Sequence, residues 1–317
     1  MNKHSKRLLT LVALATTTTA TIHIINKVIA ASACLKEMLD TDVRNYYHWR
    51  FGDIYYTKKG KGSPILLIHD MLPGGSGYEW GKIEDDLALE HTVYNLDLPG
   101  CGRSEKSGMT YTNFVYVQAI CDFIKNVIGE KTDVIVNGYS ASFVVMACHN
   151  EKTLFDKIMM VNPVSLTSLK QMPGRKEKLL RKCLEIPGFG TLVYHMVVSR
   201  SAVNDDFIEN YAFDPFHPDR ELQDAYYEAA HRGGCYAKNV YANKASKYMN
   251  IDITRGLKEI DNSLYIVEGE AENNGEAIVE AYQNVNPSVE VAILKEAKHF
   301  PHVEVPEQFL EQVGIFF

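Results

Sequence analysis

The chain lacks several features that would otherwise direct the reading. It has only six cysteines in 317 residues (Cys34, Cys101, Cys121, Cys148, Cys183 and Cys235), with no C-x-x-C pair and no His/Cys cluster at zinc spacing. Neither a disulfide framework nor a structural zinc follows from that pattern, and a chain of this length builds its own core. There is no long basic run and the formal net charge is −7, so the electrostatic footprint of a nucleic-acid binder is missing. No G-K-[ST] follows the glycines of the 97–104 loop, so that loop is not a phosphate cradle. No metal or organic cofactor is implied. What is present is 46% hydrophobic and 23% charged residues, an ordinary globular composition.

Long uncharged runs are also scarce, apart from one at the N-terminus. Lys3, Lys6 and Arg7 precede the uncharged stretch Leu8 to Ile22, and His23, Asn26 and Lys27 then interrupt it before Val28-Ile29-Ala30-Ala31. Crossing a bilayer takes about 20 apolar residues. The stretch spans one only if it continues towards Ala31, with His23 and Lys27 snorkelling near one end. We expect residues 1–34 to be an uncleaved membrane anchor, its basic end in the cytoplasm and the folded part outside. The alternative is a signal segment cleaved at Ala31-Ser32-Ala33, which would give a secreted protein. That site lies far beyond the apolar core. Residues 35–49 read as a polar, partly helical spacer.

The rest has the rhythm of an α/β protein. An early strand at Phe51–Thr57 is followed by Pro64-Ile65-Leu66-Leu67-Ile68-His69, a continuous apolar run of the kind buried on both faces of a parallel sheet. Further strands are expected at Thr92–Leu96, Asp133–Asn137, Ile158–Asn162, Leu264–Val267 and Val289–Leu294. Helical periodicity lies between them, as over Tyr111–Ile128, and implies a doubly wound, mostly parallel sheet. From 164 to 260 the strand rhythm stops and helices take over. Such an excursion between two late strands reads as a helical cap on a core made of 50–163 and 261–317.

One stretch concentrates the chemistry. Asp133-Val134-Ile135-Val136-Asn137-Gly138-Tyr139-Ser140-Ala141-Ser142 reads as a buried strand, a tight turn and the start of a helix, with Ser140 at the apex. That is the layout of a nucleophile elbow, although Ser142 stands where G-x-S-x-G has its second glycine.

Four motifs in order now carry a family resemblance. They are Leu67-Ile68-His69-Asp70-Met71 at a strand end, Asp97-Leu98-Pro99-Gly100-Cys101-Gly102-Arg103-Ser104, the Gly138–Ser142 elbow, and Lys298-His299-Phe300-Pro301-His302-Val303-Glu304. Over nearly all of residues 50–317 the chain resembles the α/β-hydrolase fold family. The resemblance implies a triad in the order Ser, acid, His. Ser140 would be the nucleophile, His299 the base and Glu272 the acid, with Glu270 as the fallback. The backbone N–H groups of Met71 and Ala141 would form the oxyanion hole. Asp70 replaces a glycine there, and its charge is expected to point away from the hole or to be paired.

The expected activity is a serine hydrolase acting on an ester, amide or related acyl compound, with a small apolar or aromatic acyl substrate under the cap. A serine at the elbow argues against the dehalogenases and epoxide hydrolases of the family, which use a carboxylate nucleophile. A non-catalytic or weakly active ligand-binding member is the alternative, and acyl transfer or C–C hydrolysis on the same site is a third reading.

Overall fold

The computed structural model describes the backbone of residues 3–317 and the side chains from residue 16 onwards. Met1 and Asn2, and the side chains of Lys3, Lys6 and Arg7 of the expected basic flank, lie outside the described residues.

One eight-stranded sheet runs through the molecule in the order β1-β2-β4-β3-β5-β6-β7-β8. The strands are β1 (Asn45–Trp49), β2 (Gly52–Lys59), β3 (Ser63–Ile68), β4 (His91–Leu96), β5 (Thr132–Asn137), β6 (Phe155–Val161), β7 (Leu264–Gly269) and β8 (Glu290–Leu294). The β1–β2 and β2–β4 pairs are antiparallel, and every later pair is parallel. The two-residue repeat of a strand sends alternate side chains to opposite faces. Leu66, Ile68, Val134, Val136, Ile158 and Met160 therefore enter one core, against the helices Asn113–Phe123 and Ala141–Asn150. Ile65, Leu67, Ile135, Met159 and Val161 enter the other, against Trp80 and the C-terminal helix Pro306–Phe316. Burial on both faces is why these segments read as unbroken apolar runs.

The spacer expected at 35–49 is not wholly a spacer, because its last residues form β1, the sheet's antiparallel edge. The helix expected over Tyr111–Ile128 is an α-helix over Asn113–Phe123 that ends in a π-turn.

Every described element between β6 and β7 is helical. The cap closes on the core through Val203, Phe207, Leu222 and Tyr226, which pack against Phe300 and Val303. The N-terminal helix Lys3–Ala33 touches the cap at its C-terminal end, where Asn26 Nδ2 donates to Gly188 O at 3.0 Å.

Candidate active site

The ends of β3, β5 and β7 and the loop after β8 meet at the C-terminal edge of the sheet, the usual place for a ligand site in an open α/β fold. The turn after β5 differs from its sequence reading. Gly138 is the residue with positive φ (+57°), whereas Ser140 is helical at φ −64°, ψ −21°. The apex of the elbow is therefore Gly138, two residues before the expected serine. Ser140 lies in the first turn of the following helix, fully buried, and its hydroxyl donates to His69 O at 2.7 Å. The expected Ser140–His299 pairing is not what this geometry brings together. Ser142 is also inside the helix, donating to Tyr139 O.

The space above Gly138 is occupied by Asp70. A Cβ built on Gly138 would fall on the Asp70 carboxylate. Oδ1 of Asp70 accepts from Met71 N–H at 2.6 Å and from Tyr139 N–H at 2.7 Å. Oδ2 lies 3.0 Å from His299 Nε2, and His299 Nδ1 lies 3.2 Å from Glu272 Oε2. The expected His299–Glu272 pair is thus brought together, and Glu270 turns away to accept from Glu296 N–H. Met71 N–H is one of two converging amides as expected. The second is Tyr139 N–H, because Ala141 N–H is used inside the turn by Gly138 O and Tyr139 O. Asp70 does not point away: it fills the oxyanion pocket and is paired with His299.

The electrostatics follow from burial and pairing. Burial alone would raise the Asp70 pKa, but the His299 hydrogen bond, the Lys244 charge and the Tyr139 N–H outweigh it and hold the carboxyl below its usual range. Burial alone would strip the proton from His299. Its bonds to Asp70 and Glu272 outweigh that and push it up to about 10. At neutral pH the site is an imidazolium held between two carboxylates.

Three residues support the site: His69, which the sequence suggests as a turn-stabilising residue and not a base, and two carboxylates, Glu79 and Glu268, that sequence reading missed. His69 is fully buried; its Nε2 accepts from Leu98 N–H at 3.0 Å and its Nδ1 faces Asp70 O at 2.7 Å, which fixes the turn that carries Asp70. Glu79 accepts from Asp70 N–H, Asn137 Nδ2 and the cap's Tyr226 hydroxyl, tying β3, β5 and the cap together. Burial pushes its carboxyl up to about 8. Glu268, at the end of β7, is buried with neither oxygen hydrogen-bonded, and burial and the nearby Glu272 charge push it up to about 8. One signal pointed to this arrangement: an acid replaces glycine in the first motif, and the elbow glycine is what makes room for it. No metal-holding group of three or more His, Cys, Asp or Glu occurs among the described residues.

Comparison with known proteins fits this architecture. The sequence profile of the alpha/beta hydrolase family matches residues 65–312. The chain belongs to this family. Two curated relatives match over shorter stretches. The 2-hydroxy-6-oxo-6-(2'-aminophenyl)hexa-2,4-dienoic acid hydrolase of Metapseudomonas resinovorans is 35% identical over 74 residues, 22% of this chain and 24% of that protein. The soluble epoxide hydrolase of Corynebacterium sp. (strain C12) is 23% identical over 111 residues, 35% of this chain and 38% of that protein. The matches thus span between about a quarter and two fifths of those relatives. Among solved structures, a serine hydrolase involved in carbazole degradation superposes with a TM-score of 0.69 at 17% identity, covering 86% of this chain and 98% of its own. That likeness concerns the fold. In this alpha/beta hydrolase the elbow carries a glycine at its apex.

Proposed function

We propose that this alpha/beta hydrolase uses the Asp70 carboxylate, and not a serine hydroxyl, as its nucleophile on an electrophilic saturated carbon such as that of an epoxide. One observation carries the reading. The carboxylate stands over Gly138 with Oδ1 on two amides and Oδ2 at His299 Nε2.

The geometry supports a two-step course. Asp70 Oδ2 attacks the epoxide carbon, the C–O bond breaks, and its electron pair goes to the leaving oxygen. The product is an alkyl ester of Asp70. That ester no longer carries the charge that held the proton on His299, so the proton passes to the alkoxide and His299 becomes a neutral base. His299 then takes a proton from water, and the resulting hydroxide attacks the ester carbon. Oδ1 becomes the oxyanion while already seated on the Met71 and Tyr139 N–H groups, where such donors are worth most. Collapse releases the second hydroxyl, which takes the proton of the added OH, and Asp70 and the imidazolium are restored. Glu272 orients and stabilises His299 throughout. Each turnover adds one water across the ring.

Acyl hydrolysis by Ser140 receives less support, because its hydroxyl is buried and spent on His69 O. A non-catalytic, ligand-binding role has one observation in its favour: the resting Asp70–His299 pair already fills the oxyanion pocket. Incubating the full chain, in detergent, with a small aliphatic epoxide decides between them. His299→Gln should accumulate one epoxide mass on the Asp70 peptide, because the ester forms and no base hydrolyses it. An adduct on Ser140, or none in any variant, would overturn the reading.

We also infer an uncleaved anchor with the catalytic domain outside the cytoplasm. The segment Thr16–Lys36 is long and apolar enough to cross a membrane and is 11% buried. The Asn26–Gly188 bond and the buried Ala33 tie its end to the cap, which favours retention over cleavage at Ala31-Ser32-Ala33. N-terminal peptides recovered from washed membranes, with the domain open to external protease in spheroplasts, would support this. A mature chain beginning near Cys34 would not.

A further inference from the structure

The cap contributes one charge that helps keep Asp70 ionised but takes no part in the proton transfers above. Lys244, in the helix Lys238–Ala245, is half-buried and stands where two cavities meet. The larger, about 410 Å³, is walled by Leu72, Val203, Phe207, Tyr211 and Tyr241. Its neighbour is small and glycine-lined, between Gly74, Gly75, Gly100 and Gly102. The Tyr211 ring, in the wall of the larger cavity, lies 5.1 Å from the His299 ring, so that cavity adjoins the Asp70–His299 pair.

The ammonium has no hydrogen-bonded counter-ion among the described residues. Among the described residues the Lys244 side chain makes no hydrogen bond or ion pair, and its Nζ lies 5.2 Å from the centre of the Tyr139 ring. Asp70 acts on it only through its field, since both Asp70 oxygens are committed to the two amides and to His299. The other lysine beside the small cavity, Lys106, is spent on Gly102 O at 2.6 Å. The charge acting on Lys244 is thus that of Asp70, since burial pushes the neighbouring Cys101 thiol up to about 12 and keeps it neutral; burial also dominates Lys244 itself by pulling its pKa down. The larger cavity is also lined by one acid, Asp206, which accepts from Asn210 Nδ2; the partly desolvated Lys244 amine is left with N–H donors that have no acceptor of their own.

We propose that Lys244 supplies the anion-binding subsite of this enzyme, and that the substrate carries a carboxylate close to the electrophilic carbon that meets Asp70. The proposal builds on the reading of Asp70 as the nucleophile and adds the substrate's charge. A charge-assisted hydrogen bond to a carboxylate corresponds to roughly tenfold or more in rate or affinity.

The test pairs two probes of nearly equal size, bromoacetate and bromoacetamide. Asp70 Oδ2 displaces bromide from either, with the C–Br electron pair leaving on the bromide, so no proton is needed. Peptide mapping reads the rate of Asp70 labelling. The bromoacetate to bromoacetamide rate ratio should fall roughly tenfold or more in Lys244→Met and be retained in Lys244→Arg. An unchanged ratio in a folded Lys244→Met, with Asp70 still labelled, overturns the subsite and leaves the nucleophile standing. If neither probe labels Asp70, the nucleophile reading falls, and propionate binding decides the subsite alone. Weakening of roughly tenfold in Lys244→Met, but not in Lys244→Arg, supports it; equal binding overturns it.

Discussion

Replacing Gly138 by serine should damage the protein, even though it restores an ordinary side chain to the elbow. Two costs add. The φ of +57° is left-handed backbone, in which a side chain costs roughly 1–2 kcal/mol. The new Cβ would also fall on the Asp70 carboxylate. Expelling that carboxylate breaks a buried ion pair, a loss of about 3–5 kcal/mol. The sum is about 4–7 kcal/mol, a large share of a typical domain's stability. At about 2 °C per kcal/mol for a chain of this size, Tm should drop by about 8 °C or more. Asp70→Gly in the same chain removes the obstacle but also the ion pair, so the double variant should melt near Gly138→Ser alone and not at the sum of the two single losses. A thermodynamic cycle over the four proteins, from thermal melts in detergent, should give a coupling of about 3 kcal/mol or more. The double variant should also gain labelling by a fluorophosphonate, because a serine then stands beneath His299. If Gly138→Ser melts within about 2 °C of wild type, the carboxylate does not occupy that space and the site has been misread.

Ser140→Ala should cost about 1 kcal/mol, the worth of its bond to His69 O, and leave Asp70 labelling by bromoacetate within about twofold; a serine nucleophile would instead lose all activity. Asp70→Asn should lower turnover by about 10⁴-fold, as expected for a lost nucleophile, measured as diol release from an epoxide. Stability should fall as pH rises, with three groups acting in the same sense: His299, Glu268 and Glu79, the last also pushed up to about 8 by burial. His299 is pushed up to about 10 in the fold, so its contribution is complete below its ordinary value near 6.5 and is lost as pH climbs through about 10. Glu268 is pushed up to about 8, so the folded state holds a proton that the unfolded one has already released, and stability falls from its ordinary value near 4.3 through about 8. Urea midpoints between pH 6 and 10 should therefore decline, and Glu268→Gln should flatten the lower part of that decline. A flat profile for the wild type would contradict these shifts.

How much was legible follows from what each residue senses. Strands β3, β5, β6 and β7 are buried on both faces, and a parallel strand writes that into its own residues as a continuous apolar run. β1 is a five-residue edge strand with alternating partial exposure, and nothing in Asn45–Trp49 sets it apart from a polar linker. His299 and Glu272 were legible because each sits in a loop whose order the family resemblance constrains. The elbow was misread because Gly138-Tyr139-Ser140 satisfies G-x-S locally, while the frame is set by where β5 ends against β6, at Asn137. Of the two arrangements expected for Asp70, turned away or paired, the structure has the paired one, facing inward. Whether a carboxylate turns into or out of a pocket depends on residues 68 and 69 positions away along the chain, Gly138 and Tyr139. Lys244 carries no local signal, since a lysine in a polar helix is ordinarily solvated.

The central claim concerns which atom attacks the substrate, and isotope tracing reads that directly. A single turnover with an epoxide in ¹⁸O-labelled water, enzyme in excess, should leave ¹⁸O in the side chain of Asp70 and unlabelled oxygen in the diol, because water attacks the Asp70 ester and not the substrate carbon. ¹⁸O in the diol after that first turnover, with none in Asp70, would contradict the account.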